Sequence, residues 1–365
     1  MLTFLLAATM ALLAAGLALP KVAQLPSPFW AHLVLAVAVM SLITAAMQHF
    51  VPVLSRSRGA GAWLGRLPWL MALSGGLAVL VFAGRLDYAA ISLAAALALA
   101  GALTMLAWMR RKGRAAVGPA HPGLNWYLAA MACLVAGLAA ALLIPWLPQW
   151  HMALRAFHIH INLYGFIGLT AIGTLQVLMP TLSNRPDPEV ARRLRLDLKW
   201  AGAGALTLAL GKAAESDPVV WLGLAGWAWP LARLALAWGR LYGREIVRLN
   251  GGEAVLAAAL IGFVGALVGA GQGLDQPLAV FLPGFLFPLV SGAAAQLAPV
   301  WLRPGQATPW HAASRKTLNR FAGIRALLFL ASAGLPVLGY QCAGIPGLTA
   351  LFWFLVVFAL WLWRD

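Results

Sequence analysis

The decisive stretch of the sequence is Arg-Ala-Phe-His-Ile-His-Ile-Asn-Leu-Tyr-Gly-Phe-Ile-Gly-Leu-Thr-Ala-Ile-Gly-Thr-Leu-Gln-Val-Leu-Met-Pro-Thr-Leu, residues 155–182. It is apolar, rich in small residues and long enough for a membrane-spanning helix, which needs about 20 residues. His158 and His160 stand near its start, and Pro180 closes it. The chain has only seven histidines. Because two of them lie near the start of one span, this helix is a candidate cofactor site.

The composition is that of a polytopic membrane protein. Of the 365 residues, 62% are hydrophobic and 10% are charged, whereas a soluble domain carries about 25% charged residues. The net charge is +16, but the basic residues lie in loops between apolar segments. We therefore expect contact with a lipid bilayer and none with nucleic acid. The two cysteines, Cys133 and Cys342, form neither a metal motif nor a disulfide framework.

Apolar runs of spanning length predict an all-α protein with about twelve transmembrane helices in a single membrane domain, residues 1–365. The first run follows no basic segment, so we interpret it as a retained helix rather than a signal peptide. The twelve predicted spans lie near residues 2–20, 28–51, 67–83, 88–109, 124–147, 155–180, 197–213, 219–241, 253–273, 277–301, 320–339 and 344–363.

The loops that follow the even-numbered spans hold most of the basic residues. Examples are Arg110, Arg111, Lys112 and Arg114 after span four, and Arg185, Arg192, Arg193, Arg195 and Lys199 after span six. The positive-inside rule then predicts that both termini are cytoplasmic. In a bacterial inner membrane, span six would run from outside to inside, with His158 and His160 at its periplasmic end.

The chain carries a candidate internal repeat. Spans two, six and ten end in similar sequences that contain a glutamine and a proline, at residues 45–54, 173–182 and 293–302. Pro52, Pro180 and Pro299 are 128 and 119 residues apart, and each interval holds four predicted spans. We therefore predict three four-helix units, which cover approximately residues 1–115, 116–245 and 246–365.

The repeat places two histidines in register. His32 lies twenty residues before Pro52 and His160 lies twenty before Pro180, whereas Ala279 takes this place in the third unit. Spans two and six run in the same direction, so both histidines should lie at the outer edge of the bilayer. Neutral imidazoles on two facing helices can hold haem iron on both axial sides inside a helical bundle. His32 and His160 are therefore the favoured cofactor ligands.

His158 is the competing ligand, and Arg155 is a candidate partner of the cofactor. Successive helix residues turn by about 100°, so His158 and His160 point about 200° apart and cannot readily chelate one ion together. They can instead face two neighbouring crevices, where His32, His158 and His160 are candidates for binding haem iron or copper. Arg155 lies one turn above, where it could receive a haem propionate.

The other histidines and the acidic residues carry weaker signals. His151 in an outer loop and His49 at the inner end of span two are minor metal-ligand candidates, because a lone histidine at a span end is more often an interfacial residue. His121 and His311 lie in cytoplasmic loops and carry no functional prediction. The ten acidic residues lie in loops or at span ends, so we expect no mid-membrane carboxylate of the kind that proton relays use.

Three features of the chain resemble subunit I of the haem-copper oxidase superfamily, which includes the nitric oxide reductases, and the related NnrS-type membrane proteins. They are the three four-helix units, the histidine of span two with the closing Phe-Val-Pro-Val-Leu (50–54), and His-Ile-His with Leu-Tyr-Gly-Phe-Ile-Gly (158–168). The resemblance implies that His32 is a low-spin haem ligand. The family's histidines of spans seven and ten are missing from 198–213 and 281–301, so the resemblance implies a divergent member without the full binuclear centre.

These features predict an inner-membrane protein with a periplasmic-side bis-histidine site for haem b, with copper as a further candidate. Its role would be electron transfer, nitric oxide or metal-stress handling, or support of a respiratory complex, with an electron-transfer protein as partner. Proton-pumping oxygen reduction is not expected. Two alternatives stay open: a transporter or metal permease that uses the histidines as a substrate or copper site, and a cofactor-free accessory or assembly subunit. The sequence does not decide whether the protein is an enzyme.

Overall fold

The computed structural model describes residues 1–21, 23–273, 277–335, 338, 340 and 344–364. In this part of the chain the regular structure is helical, and we number thirteen helices. In chain order they are α1 (Leu2–Ala18), α2 (Ser27–Leu54), α3 (Leu64–Phe82), α4 (Ala90–Arg114), α5 (Gly123–Leu143), α6 (Pro148–Leu182), α7 (Val190–Ala213), α8 (Asp217–Ile246), α9 (Gly252–Gly271), α10 (Leu278–Leu302), α11 (Pro309–Leu318), α12 (Ala322–Gly334) and α13 (Gly344–Arg364).

The protein is a polytopic helical membrane protein. Among the described residues, nine helices are long and apolar enough to cross a membrane: α2 to α6, α8 to α10 and α13. Such a chain must satisfy its backbone polar groups within each span, which a helix does without a partner strand. The predicted all-α membrane fold is therefore confirmed at this level.

Three further helices coincide with predicted spans but fall short of these criteria. α1 is apolar but has only 17 residues, and α12 has 13 residues. α7 has 24 residues, but charged side chains crowd its first half, namely Arg192, Arg193, Arg195, Asp197 and Lys199. Twelve crossings, and the cytoplasmic position of both termini, stay predictions.

The contacts divide the chain into two compact units. One comprises Gln24–Val177 with Pro188–Ala232, and the other comprises Met1–Ala23, Leu178–Asp187 and Arg233–Asp365. The single membrane domain predicted over residues 1–365 stays a prediction. The histidines of spans two and six all belong to the first of these units, which we call the histidine unit.

Successive helices of the histidine unit pack against one another. α3 packs on α2 at Gly75, where an added Cβ would lie 2.6 Å from the carbonyl carbon of Ala36. α3 and α4 share a buried cluster of Ala78, Val81, Ile91 and Ala94, with Phe82 packed against it. This contact holds the end of α3, and with it Phe82, near the start of α2.

Hydrogen bonds tie the later helices of the histidine unit together. Trp126 of α5 donates its Nε1–H to the carbonyl oxygen of Leu194 on α7 at 2.9 Å. Arg193 donates its Nε–H to Oε1 of Gln176 on α6, also at 2.9 Å. The glutamine near the closing proline of span six therefore joins α6 to the start of α7, and Gln48 makes a comparable bond to the carbonyl oxygen of Leu64 at 2.7 Å.

Three helices contain a π-helical segment that the sequence did not predict. The segments are His32–Val39 in α2, Ile161–Ile167 in α6 and Phe281–Leu286 in α10. These are the three helices that the repeat aligns, and each segment begins about 20 residues before the helix's inner proline. A π-bulge changes the direction of the side chains on either side of it and is frequent at functional sites. The recurrence agrees in register with the three predicted units, which stay a prediction.

We expect Gly75→Ala to lower the free energy of unfolding by about 1–3 kcal/mol, because the new methyl group would meet backbone atoms of Ala36 that cannot move aside. Gly76→Ala is the matched control, since an added Cβ there has nothing within 4 Å. The control should be neutral or stabilising by up to about 1 kcal/mol. Denaturant titration of both variants in detergent, followed by circular dichroism, measures the difference; equal midpoints would contradict this packing.

Candidate functional site

His32 stands at the start of the π segment of α2, one turn after Pro28. Its Nδ1 lies 2.7 Å from the carbonyl oxygen of Pro28. Because a carbonyl oxygen can only accept a hydrogen bond, Nδ1 must carry the proton. The other nitrogen, Nε2, is then the one with the free lone pair, as a metal ligand requires.

His158 stands in the first part of α6, and its tautomer is set from a neighbouring helix. Its Nδ1 lies 2.8 Å from the carbonyl oxygen of Gly137 on α5, so this nitrogen is also the protonated one. Nε2 of His158 is again left with the lone pair. Metal-ligating histidines commonly donate their second N–H to a backbone carbonyl in this way.

The rings of His32 and His158 lie next to each other with nearly parallel planes, and we call the two residues the facing pair. Their centroids are 6.3 Å apart and their planes differ by only 9°. A metal–imidazole bond is about 2 Å long and a ring centroid lies about 1 Å from its nitrogen, so two imidazoles on opposite sides of one ion have centroids ~6 Å apart. Phe82 packs against the His32 ring with a centroid distance of 4.7 Å. The pair therefore has a separation and tautomers that suit two ligands of a single ion.

His160 makes different contacts on α6 from those of His158. Its Nδ1 lies 2.8 Å from the carbonyl oxygen of Ala156, and its ring lies beside that of Tyr164 at 6.1 Å. His160 thus bonds to a carbonyl oxygen four residues back in its own helix, as His32 does with Pro28. The bond therefore agrees with the sequence register of His32 and His160, but the ring that meets His32 belongs to His158. The sequence favoured His160 as the partner, and the geometry favours His158.

Three polar side chains, those of Tyr88, His151 and Arg155, lie near one another in the histidine unit. Arg155 is exposed and precedes His158 by one helical turn. It lies close enough to Tyr88 to interact with it electrostatically, and the ring of His151 lies 6.4 Å from that of Tyr88. Arg155 thus stands one turn before His158 with its side chain exposed, and the ring of His151 contacts that of Tyr88.

The remaining histidines lie away from the facing pair. His49 is on the same helix as His32 but seventeen residues further along, which is about 25 Å, and its ring contacts Phe50. His311 caps α11: its Nδ1 accepts from Thr308, and its Nε2 donates to the carbonyl oxygen of Arg303 at 2.9 Å. His121 precedes α5, and its Nδ1 accepts the backbone N–H of Gly123 at 3.1 Å.

Larger groups of metal-binding side chains are not found in the described ranges. No three or more His, Cys, Asp and Glu side chains come together there in a way that could hold a metal ion. Cys133 is a half-buried free thiol on α5, and Cys342 lies outside the described residues. The candidate site is therefore the pair of His32 and His158.

No family model matches the chain, and comparison with curated proteins and with solved structures also returns no match. The function is therefore inferred from the residues of the site.

Sequence reasoning missed three contributors to this site. Gly137 supplies a carbonyl to His158, Phe82 packs on His32, and Asn162 bonds to His158. Only Asn162 had a signal, because a residue four positions after a helical histidine lies on the same face. The other two come from helices whose packing partners the sequence does not specify.

The pKa of His121, which lies in a loop outside the spans, is lowered below its usual 6.5 by partial burial. Its neutral ring accepts the Gly123 N–H, so this contribution to stability is complete above pH 6.5 and is lost as pH falls through the lower pKa of the folded state. We expect His121→Asn, which keeps an acceptor but does not titrate, to lose less stability on acidification than the wild-type protein. Unfolding midpoints across this pH range measure the effect; identical acid sensitivity of the two proteins would contradict it.

Proposed function

We propose that the protein is a membrane haem protein in which His32 and His158 hold one b-type haem as its two axial ligands. The observation that carries the proposal is the facing pair, with ring centroids 6.3 Å apart and planes within 9°. The hydrogen bonds to Pro28 and Gly137 add support, because they leave Nε2 of each ring free. The function that follows is electron transfer.

The residues of the site fit the chemistry of this cofactor. Two neutral imidazoles from two different helices are the donor set that holds a haem inside a helical bundle. A haem held by both rings would supply one-electron transfer. Arg155, one turn before His158, would bind a propionate through a charge-assisted hydrogen bond. Phe82 packs against the His32 ring and would restrict its movement.

The wider setting is proposed from the resemblance to oxidase subunit I and the NnrS-type proteins. The protein would lie in a bacterial inner membrane with the pair on the periplasmic side, and would exchange electrons with a respiratory or electron-transfer protein. Nitric oxide or metal-stress handling, or support of a respiratory complex, is the proposed context. The family's histidines of spans seven and ten are missing, so we do not propose oxygen reduction coupled to proton pumping.

A copper site is the second candidate, and the same observation favours it. The separation of the rings fits any ion bound between two imidazoles, and imidazole is a good ligand of copper as well as of haem iron. A copper-handling protein or metal permease would use His32 and His158 in this way without a porphyrin.

We expect protein purified from haem-replete cells to show a Soret band. His32→Ala and His158→Ala should each lose most of it, because each removes one axial ligand. His160→Ala is the matched control, two residues from His158 on the same helix, and should keep the band. Colourless wild-type protein that retains copper would favour the second candidate, and loss of the band only in His160→Ala would contradict the pairing.

We expect the oxidised wild-type protein to give a rhombic low-spin electron paramagnetic resonance signal. If the two imidazole planes are only 9° apart, both rings would interact with the same one of two iron d orbitals. The two orbitals would then differ in energy. Perpendicular planes would leave the two orbitals nearly equal in energy and give a single signal at unusually low field. Spectra of frozen purified protein distinguish the cases, and the low-field signal would contradict the observed ring arrangement.

A further inference from the structure

We propose that Asn162 is a positioning residue that fixes the ring plane of His158, an inference that rests on the proposed haem function. Asn162 follows His158 by four residues in α6, at the start of the π segment. It is neither a ligand nor a residue that the resemblance assigns. Its role follows from what its amide group contacts.

The side-chain amide of Asn162 contacts both the backbone and the ring of His158. Nδ2 donates to the carbonyl oxygen of His158 at 2.8 Å and lies 3.2 Å from Nδ1 of the His158 ring. Because Nδ1 already donates its proton to Gly137, the amide nitrogen stands beside the ring edge and limits rotation of the ring. Asn162 therefore restricts His158 from the side of its own helix while Gly137 holds it from α5.

Gly137 makes this arrangement possible through its missing side chain. A Cβ added at Gly137 would lie 2.5 Å from Nδ2 of Asn162 and 3.0 Å from its Oδ1. The amide thus fills the space that glycine leaves on α5, next to the carbonyl that binds His158. Oδ1 of Asn162 is buried and accepts no hydrogen bond in the described part of the chain. Because Oδ1 has no such partner, the contacts of Nδ2 determine where the amide lies.

The arrangement distinguishes His158 from the other two histidines. The residue four positions after His32 is Ala36, and the one four positions after His160 is Tyr164. Neither has a side-chain amide. His32 and His160 instead bond to carbonyls of their own helices. Asn162 therefore acts on one member of the facing pair, and His158 is the ligand whose properties a change at this position should alter.

Two substitutions test the proximity of residue 162 to the ring of His158 in different ways. Asn162→Leu keeps a similar volume but removes the amide, so the ring should rotate more freely while both ligands remain. Asn162→Asp places a carboxylate oxygen beside the Nδ1–H, which should draw the proton towards it and make His158 a stronger donor. Thr170→Val is the matched control: Thr170 also bonds to a carbonyl four residues back in α6, Phe166, at 2.7 Å.

We expect Asn162→Leu to keep the Soret band but to broaden or shift the paramagnetic resonance signal. Asn162→Asp should lower the midpoint potential by about 59 mV or more, which corresponds to a tenfold change in a one-electron equilibrium. Thr170→Val should change neither. Wild-type potential and spectra in both Asn162 variants would overturn the inference.

A readout that does not depend on haem keeps the two proposals distinguishable. In protein labelled with ¹⁵N-histidine, the shifts of the His158 ring nitrogens report its tautomer and hydrogen bonding with or without a bound ion. If the wild-type protein binds no haem, the proposed function fails, and the Asn162 inference then stands or falls on these shifts. A His158 spectrum that differs between wild-type and Asn162→Leu protein, but not Thr170→Val protein, supports it, and identical spectra overturn it.

Discussion

The hydrogen bond between Nδ1 of His158 and the carbonyl of Gly137 is the interaction on which the candidate site depends. It is 2.8 Å long and joins α6 to α5. It selects the tautomer, fixes one edge of the ring and leaves Nε2 with its lone pair. Without it, the two histidines of α6 would differ only by their position on the helix. With it, His158 belongs to the crevice that also contains His32.

The packing of the helices serves this geometry through small residues. Gly75 lets α3 approach the π segment of α2, and Gly137 lets the Asn162 amide lie against α5. Close approach through glycine is common between membrane helices, where van der Waals contact and a few hydrogen bonds take the place of the hydrophobic effect. The pair of imidazoles is therefore held by backbone groups and glycine contacts, which move little, rather than by long side chains.

Hydropathy alone predicted where the helices lie, because the bilayer requires long apolar segments and these are plain in the sequence. Each of the twelve predicted spans overlaps a helix in the described part of the chain, and nine of these helices are long and apolar enough to cross a membrane. The π segments were not predictable, since residues such as His32–Val39 read like any other apolar run. Among the described residues, α11 is a helix without a predicted span, because ten residues with three basic side chains do not resemble one.

The candidate site was predictable only in part. The proline register identified His32 and linked it to α6. Because His158 and His160 were expected to point about 200° apart, the sequence left two possible sites. The register could not decide which of the two rings faces His32, because that choice depends on Gly137 from α5 and on the rotation of α6. The register aligns positions along α2 and α6, but the ring that meets His32 is set by the contacts of α6 with α5.

The central claim is that one haem is bound between His32 and His158. Near-infrared magnetic circular dichroism of the oxidised protein identifies both axial ligands of a low-spin haem. The account predicts the charge-transfer band of a bis-imidazole haem in the wild-type protein, unchanged in His160→Ala and replaced in His158→Met by the band of a histidine–methionine pair. A bis-imidazole band that persists in His158→Met and disappears in His160→Ala would contradict it.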